Sequence, residues 1–297
     1  MIVGELRDGQ LVIIDRVRET VRLAAGLSEH GELADDARTR AIGCLTTFGK
    51  RLQVLHVERV RVAGTSTIRR VRADSIFLAD AEQALGHEIE IISGTEEARL
   101  IFSGVNHTLS PNDGLRLVID IGGGSTEVIL GEGSSPRALE SLRLGCVSMT
   151  ETYFPDGRIT RDAFDAARKA ARVRIRPVKD FFRAKEDIEV IGTSGTIIAT
   201  EHVARSSGLQ KTGTLALRTI EALIEQIIDC GSIEAVNMQD LSERRAQVWP
   251  GGLAILAELV SELQIREMRV SNGALREGLL YDLLSRVQTR TEQDSLG

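Results

Sequence analysis

Aromatic side chains make up only 3% of this 297-residue chain, with one Trp, two Tyr and seven Phe. Base stacking on aromatic platforms, the usual basis of single-stranded nucleic-acid binding, therefore has little material to work with. A surplus of positive charge is lacking too: 37 Lys and Arg stand against 43 Asp and Glu, a formal net charge of −6. That balance argues against a general phosphate-backbone binder, because counterion release needs excess Lys and Arg on the binding face. Nucleic acid is not an expected partner, and a local basic pocket remains compatible with the balance. Cysteine is scarce. Cys44, Cys146 and Cys230 lie far apart without CxxC spacing, so neither a zinc site nor a disulfide framework is indicated, and the cytoplasm is the expected compartment. No apolar run approaches the ~20 residues that span a bilayer, and Glu5 and Asp8 fall where a signal peptide would stay apolar. Neither secretion nor a membrane location is expected. The histidines His30, His56, His87, His107 and His202 show no metal-ligand spacing, and low-complexity segments and short-period repeats are absent.

What is present is an alternation of helical and extended patterns. A hairpin is expected where Leu11 to Ile14 follow the turn signal Arg7-Asp8-Gly9. Ala37, Ala41, Cys44, Leu45, Phe48 and Leu52 form one helical stripe within 32–52. Extended segments at 56–63 and 88–92 flank a helix at 75–85. Leu115 to Ile121 and Thr126 to Leu130 read as strands around three glycines, with a further strand at 139–144. A helix over 161–183 carries Pro177 as a kink or break. Beyond the strand 187–191 the pattern is mostly helical, at 217–230, 253–263 and 275–287, with a strand at 267–270 and a frayed tail at 288–297. The turn cluster Ser110-Pro111-Asn112-Asp113-Gly114 divides the chain into candidate domains 1–113 and 114–297.

Three stretches carry chemistry. In Val118-Ile119-Asp120-Ile121-Gly122-Gly123-Gly124-Ser125-Thr126-Glu127, consecutive glycines let backbone N–H groups converge on an anion, with hydroxyls beside them. Asp120 and Glu127 flank the turn as a divalent cation bridging a phosphate would require; the plain alternative is a glycine-rich turn with two solvated acids. Gly192-Thr193-Ser194-Gly195-Thr196 runs from a strand into a helix start, which favours an anion or is simply a cap. Ile92-Ser93-Gly94-Thr95-Glu96-Glu97 places two acids in a first helical turn, with Thr95 as candidate cap. They are either dipole compensation or a general base on a rigid helix end.

Together VIDIGGGSTEVI, IISGTEEARLIFSGV, RLGCVS, GTSGTI and SNGALREGLL resemble the exopolyphosphatase/guanosine pentaphosphate phosphohydrolase (Ppx/GppA) family, in family order and over nearly the whole chain. The resemblance implies an α/β fold of two ribonuclease-H-like domains of the actin/Hsp70/sugar kinase superfamily, with an interdomain cleft. It implies hydrolysis of terminal phosphoanhydrides with Mg2+ or another divalent cation. On it, Glu97 is the base that activates water and Asp120 a metal ligand, with Glu127 near the metal or water. Gly122, Gly123, Gly124 and Ser125 form a phosphate loop, Arg69 contacts substrate phosphate, and Gly192, Thr193, Ser194, Gly195 and Thr196 line the other side of the cleft. Inorganic polyphosphate is the expected substrate and guanosine pentaphosphate the runner-up, with a catalytically impaired polyphosphate- or alarmone-binding protein as the non-enzymatic alternative. A homodimer is a further expectation of the resemblance.

Family members begin with a strand and an Asp-Leu-Gly-Ser-Asn-Ser loop just before the segment that matches Met1 to Gly9. That piece, on the order of 10–15 residues, is absent from this sequence, through a misassigned start or in a truncated paralogue, and the expectation is half a phosphate cradle and slow hydrolysis. The chain also stops soon after SNGALREG, as short members do. Arg168, Lys169, Arg172, Arg174, Arg176, Lys179, Arg183 and Lys185 crowd one helical region, as a solvated face or a track for a long polyanion. Trp249 reads as core or interface.

Overall fold

Seven residues, Leu115–Ile121, set the centre of the fold. Six of them are buried, a continuous apolar run broken only by Arg116 and Asp120, as a strand covered on both faces requires. In the computed structural model, which describes residues 1–295 apart from 9, 20, 29, 73–75, 185–186 and 211–212, this strand lies in the middle of a six-stranded sheet.

In chain order the elements are β1 Ile2–Arg7, β2 Gln10–Arg16, α1 Asp35–Val54, β3 Ala63–Gly64, α2 Phe77–Leu85, β4 Glu90–Ile91, α3 Gly94–Thr108, β5 Leu115–Ile121, β6 Thr126–Glu132 and β7 Ser135–Leu142. There follow α4 Cys146–Tyr153, α5 Arg161–Ile175, α6 Lys179–Phe182, β8 Glu189–Thr193, α7 Ser194–Ser206, β9 Thr214–Leu215, α8 Leu217–Cys230, α9 Glu243–Ala246, α10 Trp249–Glu262, β10 Met268–Val270 and α11 Leu275–Ser295. The large sheet has the order β7-β6-β5-β8-β10-β9. β5 pairs antiparallel with β6 and parallel with β8. In the first half, β1 and β2 form an antiparallel hairpin while β3 and β4 form a separate parallel pair. The fold class is the α/β one that the resemblance implies.

Most of the apolar core sits on one face of the large sheet. There α10 is buried along nearly its whole length, with Trp249 fully enclosed and its indole Nε1 donating to Thr200 Oγ1 at 3.0 Å. The other face is covered by α3, whose Ala98, Ile101, Phe102 and Val105 pack on Val118, Ile129 and Ile191. α11 crosses α3 so closely that a Cβ at Gly278 would collide with the Leu100 carbonyl, and one at Gly104 with that of Ala274. The glycines of FSGV and SNGALREG thus serve a helix crossing. α11 also reaches β1, where Leu280 faces Gly4.

Several expectations are refined. The extended segment 56–63 forms a strand only at Ala63–Gly64, because its side chains Val57, Val60 and Val62 are taken up by packing around Val3, Leu52 and Leu85. The helix expected at 75–85 is described from Phe77, and Ser75 lies outside the described residues, as do Gly9 of the hairpin turn and Lys185. Pro177 breaks rather than kinks its helix, separating α5 from α6. The tail expected to fray continues α11 to Ser295, with 296 and 297 outside the described residues. Half of the basic cluster around α5 is engaged in ion pairs. Arg168 and Arg172 donate to the fully buried Glu258 of α10 at 2.8 Å each, Arg168 also reaches Glu221 of α8, and Arg176 and Lys179 flank Glu262. No helix among the described residues is long and apolar enough to cross a membrane.

Candidate functional site

Parallel strands end where backbone groups run out of partners, and loops at their carboxyl ends are the usual place for a ligand in open α/β sheets. Here the carboxyl ends of β3, β4, β5 and β8 deliver the candidate residues. β3 ends at Gly64 and is followed by Thr65-Ser66-Thr67, then a single 3-10 turn at Ile68–Arg70 that presents Arg69. After β4, α3 starts at Gly94, capped by Ser93, whose hydroxyl accepts from the Glu96 N–H at 3.1 Å. The cap is therefore Ser93, with Thr95 already inside the helix. Glu96 turns away to Arg99, and Glu97 turns inward and is 6% exposed. Arg69 Nη1 donates to Glu97 Oε2 at 3.1 Å and to the Ile92 carbonyl at 2.7 Å, which ties the two junctions together.

At the end of β5, Asp120 stands opposite Glu127 of β6 in the antiparallel register. Directly opposed residues project from the same face with Cβ atoms ~5 Å apart. Two carboxylates are thus held side by side, 7% and 1% exposed, with Glu97 nearby. The electrostatic consequence is large. Burial first, and then the charge of Glu97, pushes Asp120 up to about 7. Burial, then Glu97 and Asp120, pushes Glu127 up to about 8, against the hydroxyls of Ser141 and Ser125. Glu97 is also raised by burial, opposed by Arg69 and Thr65. Ser141 Oγ donates to Glu127 Oε1 at 2.7 Å, and a Cβ on Gly94 would collide with Ser141, so the start of α3 is pressed against β7 beside this acid.

Gly122 to Ser125 form the turn between β5 and β6, closed by Gly122 N–H to the Ser125 carbonyl at 2.9 Å. The Gly122 and Gly123 carbonyls accept from Cys146 and Val147 at the start of α4, at 2.9 and 3.0 Å. The N–H groups of Gly123, Gly124 and Ser125 donate no hydrogen bond among the described residues. A turn whose carbonyls are spent inward and whose donors are unspent suits an anion. None of these glycines has a positive φ, so their value is close approach: Ser66 lies against Gly124 and Val147 against Gly123.

The second expected loop divides. Gly192, Thr193 and Thr196 are packed away: Gly192 lies against Met268 and Ile197, Thr193 Oγ1 donates to the Ser271 and Gly273 carbonyls, and Thr196 is fully buried beside Gly252. Ser194, in the left-handed region at φ 77°, exchanges hydrogen bonds with the Ile121 backbone at 2.8 and 3.1 Å and also reaches Asp120. Gly195 is the residue that faces charge. A Cβ there would collide with the Arg245 guanidinium and lie 2.8 Å from Arg18 Nη2. Arg18 and Arg245 were not indicated by the sequence, since each is one Arg among many outside any glycine motif. They come from the segment after β2 and from α9, and neither has an ion pair among the described residues. Partial desolvation, then the charge of Arg245, lowers the Arg18 pKa, while Asp120 opposes this. The site therefore sets three buried acids against two guanidiniums that have no ion pair among the described residues.

A cation is the other natural counter-charge for the acids. Among the described residues no group of three or more His, Cys, Asp or Glu side chains converges into a ready cage. Asp120 and Glu127 instead supply two hard oxygen donors beside free N–H groups, the donor set of an ion such as Mg2+, which takes one or two carboxylates and completes its shell with water and phosphate oxygens.

The model of the Ppx/GppA phosphatase family matches residues 2–287. The chain belongs to the Ppx/GppA family. Among solved structures, it is similar to a PPX-GPPA enzyme of Aquifex aeolicus at 26% identity, over 94% of this chain and 93% of that one, with a TM-score of 0.75. An exopolyphosphatase of Cytophaga hutchinsonii shares the fold with a TM-score of 0.85 at 21% identity, over 96% and 93% of the two chains. As a Ppx/GppA protein, it holds the GTEEA glutamate and the glycine-loop acids within one electrostatic group.

Proposed function

We propose that this Ppx/GppA protein is a cytoplasmic exopolyphosphatase that releases orthophosphate from the end of inorganic polyphosphate. The observation that carries the reading is the facing of unspent N–H donors at Gly123 to Ser125 and the Arg18–Arg245 pair with the acids Glu97, Asp120 and Glu127. Donors and guanidiniums bind a polyanion and stabilise charge on the transferring phosphoryl group, while a buried carboxylate is placed to take a proton from water. Glu97 is that base. Its burial raises its proton affinity toward the working pH, which improves a general base, and Arg69 fixes the carboxylate. The water oxygen bonds to the terminal phosphorus, its proton passes to Glu97, and the bridging P–O bond breaks, leaving the shortened chain. Mg2+ or another divalent cation, held by Asp120 and Glu127, would neutralise the phosphate oxygens when bound.

Polyphosphate is favoured over guanosine pentaphosphate because a base needs a platform. Trp249, Phe77, Phe102, Phe154, Phe164 and Phe182 are buried in the core, Phe48 and Tyr153 are half-buried against it, Tyr281 is stacked on His107 at 3.9 Å between centroids, and the exposed Phe181 lies on α6, which delivers none of the candidate residues. The three free cysteines accord with a reducing compartment. Glu97→Gln, which keeps shape and removes the base, is expected to lower phosphate release from polyphosphate by ~10²–10⁴ with melting temperature retained. A folded variant that keeps most of its activity would overturn the assignment.

A further inference from the structure

Beside the cleft lies an open cavity of about 520 Å³ whose walls include Arg22, Arg40 and Arg244, with Asp36 the acid among them and Ala34 on its rim. Its position follows from the chain. Arg244 and Arg245 are consecutive on α9, so one lines the cavity while its neighbour lies over Gly195 in the cleft. Arg18 and Arg22 are likewise four residues apart on the segment after β2, one in each place. Two strips of chain therefore carry guanidiniums from the cleft into the cavity.

The charges facing the cavity come from three elements. Arg40 is engaged with Asp36 on its own helix and with the Val21 carbonyl, and Arg244 has Glu19 at 3.8 Å, a loose contact. Arg22 has no partner among the described residues, and it sits in the left-handed region at φ 50°, a conformation few non-glycine residues adopt. Among the described residues, Arg22, Arg40 and Arg244 against Asp36 and Glu19 leave the pocket one positive charge in excess, in a protein whose net charge is −6. No aromatic side chain among the described residues lines it, so a nucleobase finds no platform on them, whereas a run of phosphates gains contacts at Arg22 and Arg244.

We propose that this cavity is a tail subsite for linear polyphosphate: the terminal phosphate sits between Gly123 and Glu97, and the chain passes between Arg18 and Arg245 and is held by Arg22 and Arg244. The proposal rests on the reading of the cleft as a polyphosphate site. Its consequence is chain-length selectivity. A chain too short to leave the cleft is bound by the cleft alone, and a long one by both places at once, with the second contact made at high effective concentration.

The test is equilibrium binding of tripolyphosphate and of a long polyphosphate, compared at equal concentration of chain ends, by calorimetry at low salt. The proteins are the wild type, Arg22→Gln/Arg244→Gln, and Ala34→Glu, which adds a carboxylate to the rim without touching an arginine. Wild-type protein is expected to bind the long chain at least tenfold tighter, and both variants to reduce that ratio at least about fivefold, as two partly exposed charge contacts allow. A ratio that survives both changes, or a tripolyphosphate affinity that falls as much as the long-chain affinity, overturns the subsite. Wild type that binds neither chain overturns it together with the proposed function. Length-dependent binding without phosphate release keeps the subsite and removes the hydrolytic reading.

Discussion

Replacing Glu127 by Gln should make the metal-free protein more stable while stopping its chemistry. Glu127 is 1% exposed, faces Asp120 across the β5–β6 ladder, and has its pKa raised from 4.5 to about 8 by burial, Glu97 and Asp120. An acid whose folded pKa lies above its unfolded value binds more protons in the native state. Its contribution is fully present below about pH 4.5 and is lost as pH rises toward 8. At about 1.4 kcal/mol per pH unit that loss has a ceiling of about 5 kcal/mol, and because the three acids share one repulsion we expect about 2–4 kcal/mol. Gln keeps the size and still accepts from the Ser141 hydroxyl, but carries no charge. In EDTA the variant should match wild type near pH 5 and exceed it by about 2–4 kcal/mol, or roughly 5–10 °C in melting temperature, at pH 8.5. Mg2+ should narrow the gap by stabilising wild type alone. Thermal and urea unfolding across pH 5–8.5 measure this. A gap that stays flat with pH, or a variant less stable than wild type at pH 8.5, would refute the claim that these acids repel one another in the fold.

Other residues give separate expectations. Arg245→Ala should raise KM for polyphosphate about tenfold or more, as loss of a charge-assisted contact to phosphate does, which phosphate release against substrate concentration measures. Glu258→Ala leaves Arg168 and Arg172 facing a buried gap and should cost about 3 kcal/mol in urea unfolding, the penalty for breaking a buried pair. Gly278→Ala drives a methyl group into the Leu100 carbonyl and should lower stability by about 1–3 kcal/mol, read as a drop in melting temperature.

The second half of the fold was open to reading because its signals are local. β5 is a run of Val and Ile bounded by three glycines, and the expected boundaries of α8, 217–230, are those observed. The first half was less open. Val57, Val60 and Val62 carry the β-branched composition of a strand, yet only Ala63–Gly64 joins the β3–β4 ladder, because packing on Leu52 and Leu85 decides the path. Arg168, Arg172 and Arg176 show the same limit in charge: their partners Glu221, Glu258 and Glu262 lie about 50 to 90 residues away, so arginines that look free in the sequence are paired in the fold.

For the site, the difference between what could be read and what could not is one of rarity. Three consecutive glycines beside an acid are uncommon, and Asp120 and Glu127 were legible because the turn between them is short enough to fix their register. Along Gly192 to Thr196 the structure distinguishes Ser194 and Gly195, beside Asp120 and the two arginines, from Gly192, Thr193 and Thr196, whose contacts hold β8 against α10 and β10. Arg18 and Arg245 stand at the other extreme. A guanidinium carries its charge at the end of a long side chain, so no local spacing marks where it will act. In the fold, Gly195 lies against the tips of both, where a Cβ would push these flexible side chains aside. A Gly195→Ala change should therefore shift Arg245 and weaken phosphate binding without removing a charge, which titration with polyphosphate by calorimetry measures, and an unchanged affinity in the folded variant would refute the contact.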